Sequence, residues 1–172
     1  MKSNVEKSML LKEHIKKANY TRGLVINTIV QVEYMLDRLL AEYFTSDNNR
    51  YEDMLLLVFS TERITLDSKR RILEVILKKW FKDQHTKYSK NLRYMENQMI
   101  PIRNRFAHSP TEYMIKNDGT IIDLIKVKDK QETISFNENQ ITELKENCQV
   151  CIEMMMDLFR IVRQAHPRND WK

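Results

Sequence analysis

Val25, Ile29, Val32, Leu36, Leu39 and Tyr43 recur at alternating steps of four and three, the interval that keeps one face of an α-helix apolar. The stripe extends backward through Leu11, Ile15 and Ala18, so a long first helix is expected, with Gly23 as the place for a bend. A second stripe closes the chain: Ile141, Leu144, Cys148, Cys151, Met155, Leu158 and Val162, widened by Ile152 and Phe159. Each stripe needs apolar partners, as a bundle core or a subunit contact supplies. With only two glycines and three prolines in 172 residues, the usual turn formers are scarce and mostly helix follows. The length suits one domain, 1–172.

Asp47-Asn48-Asn49 reads as the end of the first helix, and Met54 to Phe59 as one or two buried helical turns. Thr65 is a candidate N-cap, with Asp67 near the positive end of the helix dipole and Ile72, Leu73, Ile76, Leu77 and Trp80 as core face. From about Lys90 another helix runs through Leu92, Met95, Met99, Ile102 and Phe106, with a kink or restart expected at Pro101 and an end enforced by Pro110. Then the period changes. β-rich runs at about 112–117, 120–127 and 132–136, separated by Asn117-Asp118-Gly119 and Lys128-Asp129-Lys130, predict a small meander that must pack on helices. Asn137 and Gln140 form a variant capping box before the last helix. The expected class is all-α: a bundle of about five helices with a β-hairpin or meander inserted at about 112–136.

The N-terminus lacks the apolar core of a signal peptide, and no run approaches the roughly 18 apolar residues of a membrane span. A soluble, cytoplasmic chain that does not enter a membrane is expected. The isolated glycines build neither a P-loop nor a dinucleotide fingerprint. No HExxH or G-x-S-x-G occurs, and His14, His85 and His166 are scattered. Cys148 and Cys151 have no second pair to complete a zinc site and lie in a helical pattern, so they read as small buried thiols. No metal or cofactor is expected.

The net charge is +5, but residues 69–105 hold eleven Lys or Arg against three Asp or Glu, a local excess of +8. Such a segment attracts a polyanion, and Lys69, Arg70, Lys78 and Lys79 are its candidate RNA contacts. The basic excess runs into Arg103-Asn104-Arg105-Phe106-Ala107-His108. On a helix, Asn104 and His108 share a face, Arg103 lies about 140° from His108, and Ile102 and Phe106 can anchor the turn. Cations at a helix C-terminus gain about 0.3–1 kcal/mol from the dipole, so a structural role would suffice for Arg105 and partly for His108.

The stretch RNRFAH resembles the R-x(4–6)-H signature of HEPN domains, with Asn104 as the polar residue after the arginine. The long first helix with VEYMLDRLL, the late position of the motif and the closing helix are similar to that family's bundle, while the 112–136 hairpin departs from it. Pro110 stands where nucleotidyltransferase-paired members carry a tyrosine. The resemblance implies a metal-independent endoribonuclease that cuts single-stranded RNA by attack of the 2′-hydroxyl, serving as a toxin or antiviral effector. It implies catalysis by Arg103 and His108 with support from Asn104, Arg105 on backbone phosphate, and a homodimer that brings two motifs to one groove. An antitoxin or regulatory protein is a further expected partner. Glu33 is a candidate supporting acid, paired with Arg103 or another cation. The alternative is a non-catalytic HEPN-like module that binds RNA, nucleotide or protein.

Overall fold

A computed structural model describes the backbone of residues 4–61, 63–109, 111–116, 119–128 and 130–165, and the side chains of 9, 12–61, 63–109 and 135–165. The elements are α1 (Asn4–Phe44), α2 (Asn48–Asp53), a π-helical segment (Met54–Phe59), α3 (Leu66–Trp80), α4 (Lys82–Tyr94), a second π-helical segment (Met95–Met99), α5 (Ile100–His108), β1 (Thr111–Lys116), β2 (Gly119–Lys128), β3 (Lys130–Phe136) and α6 (Glu138–Ala165). Helices carry the core, and the strands form an antiparallel meander in the order β1-β2-β3 between α5 and α6. This is the expected class and insertion. Asn117, Asp118, Asp129, Pro110 and His166 lie outside the described residues.

Local chemistry explains most boundaries. Thr65 Oγ1 accepts from the Ser68 N–H at 3.2 Å and starts α3. Before α6 the capping box is reciprocal: Gln140 N–H donates to Asn137 Oδ1 at 2.8 Å, and Asn137 N–H to Gln140 Oε1 at 2.9 Å. Asp47 does more than end α1. Its Oδ1 accepts from the Asn49 and Arg50 N–H groups at 2.8 and 3.1 Å, capping α2. The interruption expected at Pro101 takes the form of a widened turn just before it, in which the Ile100 N–H bonds Met95 O, five residues back. Proline cannot donate, and its ring crowds the carbonyl four residues earlier; a π turn accommodates both.

Cα packing divides the chain into two compact units, one of residues 1–28 with 102–146 and one of 29–101 with 147–172. In the first, Ala18, Val25, Phe106, Phe136, Ile141 and Leu144 are buried. The second buries Ile29, Val32, Leu36 and Leu39 of α1, Leu73, Ile76 and Leu77 of α3, Met95 and Met99, and the α6 residues from Cys148 through Val162 along the predicted seam.

Three apolar expectations fail. Ile15 is exposed. In the first π-helical segment the wider turn sends Leu55 and Phe59 inward and leaves Leu56 and Leu57 outside. Trp80, expected in the core, is 61% exposed; it ends α3, beyond the packed turns, with the Lys79 ammonium 4.8 Å from its ring centroid.

Helix α1 runs without interruption through Gly23, and a Cβ built there would meet nothing within 4 Å. Gly23→Ala is therefore expected to stabilise the protein by about 0.5–1 kcal/mol, since glycine in a helix interior carries excess backbone entropy. Urea unfolding would measure it, and a destabilised variant would show that the position needs glycine.

Candidate active site

The residues of RNRFAH occupy the last two turns of α5. Phe106 is fully buried and packs on Phe136 at the end of β3, ring centroids 5.0 Å apart. The Ser109 N–H bonds Arg105 O at 2.9 Å, closing the final turn. Arg22 of α1 donates from Nη2 to Ala107 O at 2.8 Å, satisfying one of the carbonyls a helix C-terminus leaves open. The α5 terminus is thereby tied to α1 and β3 within one unit. Arg22 was not legible as a site residue, because its partner lies 85 residues away.

On this fixed end His108 is exposed and Asn104 is exposed, while Arg103 and Arg105 are half-buried. Arg103 donates from Nη1 to Asn104 Oδ1 at 3.4 Å, and its buried Nε has no hydrogen-bond partner. Among the described residues no carboxylate forms an ion pair with Arg103, Arg105 or His108. A guanidinium fork, an amide and an imidazole thus share one end of a helix, with guanidinium groups not committed to any acid among the described residues. That set can hold an oxyanion and move a proton.

Other expected contacts are corrected. Lys69 and Arg70 are buried, not displayed to RNA. Lys69 Nζ lies 2.8 Å from Glu33 Oε1 and 2.8 Å from Asp37 Oδ1. Arg70 spreads its guanidinium over Asp67, Glu74 and Glu96 at 3.2, 2.8 and 3.3 Å. A cation drawn out of water needs such partners, and neither side chain has a face left for phosphate. Of the two partners expected for Glu33, Arg103 or another cation, it is another cation, Lys69, that it pairs with. Lys78 and Lys79 are exposed, Lys78 bridged to Glu74 at 2.6 Å.

Burial away from water raises the Asp37 carboxyl to about 6, against the pull of Lys69 and with a push from Glu33. One cation serves two acids here, so the more buried acid takes up a proton early. Because the folded value lies above the ordinary 3.8, Asp37 contributes stability that is fully present below pH 3.8 and lost as pH rises through about 6. Wild type should lose stability relative to Asp37→Asn between pH 4 and pH 7 in urea titrations; a difference that stays constant would refute the assignment.

The buried thiols of Cys148 and Cys151 are pushed up to about 11 and 12 by burial. Among the described residues, no group of three or more His, Cys, Asp or Glu could hold a metal ion, and no helix is long and apolar enough to cross a membrane. Comparisons with family models, curated proteins and solved structures find no match for this chain.

Proposed function

We propose that the chain is a HEPN-like endoribonuclease that cuts single-stranded RNA without a metal ion, through Arg103 and His108. The observation that carries this reading is an exposed His108 on the clasped end of α5, in the same two turns as an Arg103 paired with no carboxylate among the described residues. An imidazole used only for packing would be buried or bonded to its own protein.

Cleavage requires loss of the ribose 2′-proton, charge stabilisation on a pentacoordinate phosphorane and protonation of the departing 5′-oxygen. His108 is the group that moves protons, and Arg103 the permanent cation for the phosphoryl oxygens. Asn104, bonded to Arg103, orients that fork, and Arg105 binds neighbouring backbone phosphate. One histidine does not readily serve as acid and base in the same step, so two chains contribute one each across a homodimer. Service as a toxin or antiviral effector, held in check by an antitoxin or regulator, follows from the family resemblance.

The competing use of the motif as architecture in a non-catalytic module draws on the Arg22–Ala107 bond and the Phe106–Phe136 contact. End-labelled RNA incubated with the protein in EDTA separates the two. The proposal expects fragments with 2′,3′-cyclic phosphate and 5′-hydroxyl ends; RNA left intact by the dimeric protein across pH 6–8 would refute it.

A further inference from the structure

In the unit of residues 29–101 and 147–172, α6 borders two shallow depressions of about 330 and 190 Å³ that share Phe159 and Arg160, the smaller also lined by α1. Their walls include Met35, Arg38, Met156, Phe159, Arg160 and Arg163. Three of these carry permanent positive charge and none carries negative charge. Arg38 is set in place: its Nε donates to Tyr51 Oη at 3.3 Å, and its guanidinium lies 5.8 Å from the ring centroids of both Tyr34 and Phe159. Tyr34 and Met156 are exposed large side chains beside it.

The acids nearest in sequence, Glu42 and Asp157, act on Arg38 and Arg160, but neither lines the depressions. Glu42, one turn beyond Arg38, is buried. Asp157, one turn before Arg160, is held by Tyr88 and by Lys87, whose Nζ lies 3.0 Å away. Aromatic faces, a thioether and three guanidinium groups form a surface that suits unpaired bases and phosphates together. Stacking tolerates any base, and the cations follow the backbone. An acidic peptide would use the charges and leave the rings idle.

We infer that this α1–α6 face is a groove for single-stranded RNA, separate from RNRFAH, with Phe159 and Tyr34 as stacking platforms and Arg38, Arg160 and Arg163 as phosphate contacts. The choice of RNA over DNA rests on the ribonuclease reading; the strand-holding chemistry does not. None of these residues lay in the basic segment that the sequence brought forward.

The test uses full-length protein carrying His108→Ala, so that binding is read without cutting, and a fluorescein-labelled oligouridine of about 12 nucleotides. Arg160→Glu with Arg163→Glu, and separately Phe159→Ala, should each weaken binding about tenfold or more. The double reversal should also lower the salt slope by about 0.7 for each lost phosphate contact. The charge-matched reversal of exposed Lys12 and Lys16 should change affinity less than threefold (about 0.7 kcal/mol).

All variants are checked for an unchanged thermal melt, and Arg163→Gln stands in if the double reversal unfolds. Groove variants that bind within about twofold of the parent (about 0.4 kcal/mol) overturn the inference. So does tighter binding of oligo-deoxythymidine than of oligouridine, or of oligoglutamate than of either. Loss of a sedimenting dimer with RNA affinity unchanged would assign the face to a second copy and overturn it too. Wild-type protein that binds through the groove but never cuts sinks only the ribonuclease reading; cutting with groove variants unaffected sinks only the groove.

Discussion

His108→Ala is expected to lower RNA cutting by about 10²–10⁴-fold while leaving the protein as stable as before. The first figure is what a positioned proton-transfer group supplies. The second follows from exposure, since surface substitutions usually stay within about 0.5 kcal/mol. Arg103→Ala should cost about 10²–10³-fold by removing a preorganised cation, and Arg103→Lys should not restore it, because a point charge cannot reproduce the planar fork. If each site takes groups from both chains, mixing the His108→Ala and Arg103→Ala proteins should restore part of the activity in hybrid dimers. Single-turnover cleavage and thermal melts on one set of preparations would decide. A His108→Ala protein that melts much earlier and cuts as before would make the residue structural.

Lys69→Met should have the largest effect on stability, a loss of about 3–5 kcal/mol, or roughly 6–20 °C in melting temperature. The Lys69 side chain is 2% exposed and serves Glu33 and Asp37. Its removal leaves two acids close together with no cation between them, and Asp37 is buried. The loss should shrink towards pH 5, where Asp37 is protonated, and Asp37→Asn in the Lys69→Met background should recover much of it. Equilibrium unfolding of the single and double variants supplies the cycle. If Lys69 instead met RNA, the substitution would reduce binding and leave the melt alone.

That contrast marks what the sequence could disclose. Periodicity and capping are local, so the α6 seam, the Thr65 cap, the Asn137–Gln140 box and the meander were all legible. Residue type alone does not reveal burial. Lys69 and Arg70 read as surface because charged side chains ordinarily are, yet the acids that bury Lys69 lie 36 and 32 positions earlier. Trp80 failed in the opposite sense, an apolar side chain left outside where its helix stops. Within the candidate site, the order Arg103, Asn104, His108 and the anchoring by Phe106 could be read directly. The Arg22 clasp could not, since a cation at position 22 gives no hint of the carbonyl it meets.

The two thiols on α6 have a practical consequence. Both are buried and held far above neutral in their ionisation, and it is the thiolate that reacts with maleimides. The native background should therefore stay silent to such labels near pH 7. A cysteine introduced at exposed Asn104 could carry a spin label with both native cysteines kept, and the interval between two such labels would gauge how near the two motifs of the proposed dimer come in solution.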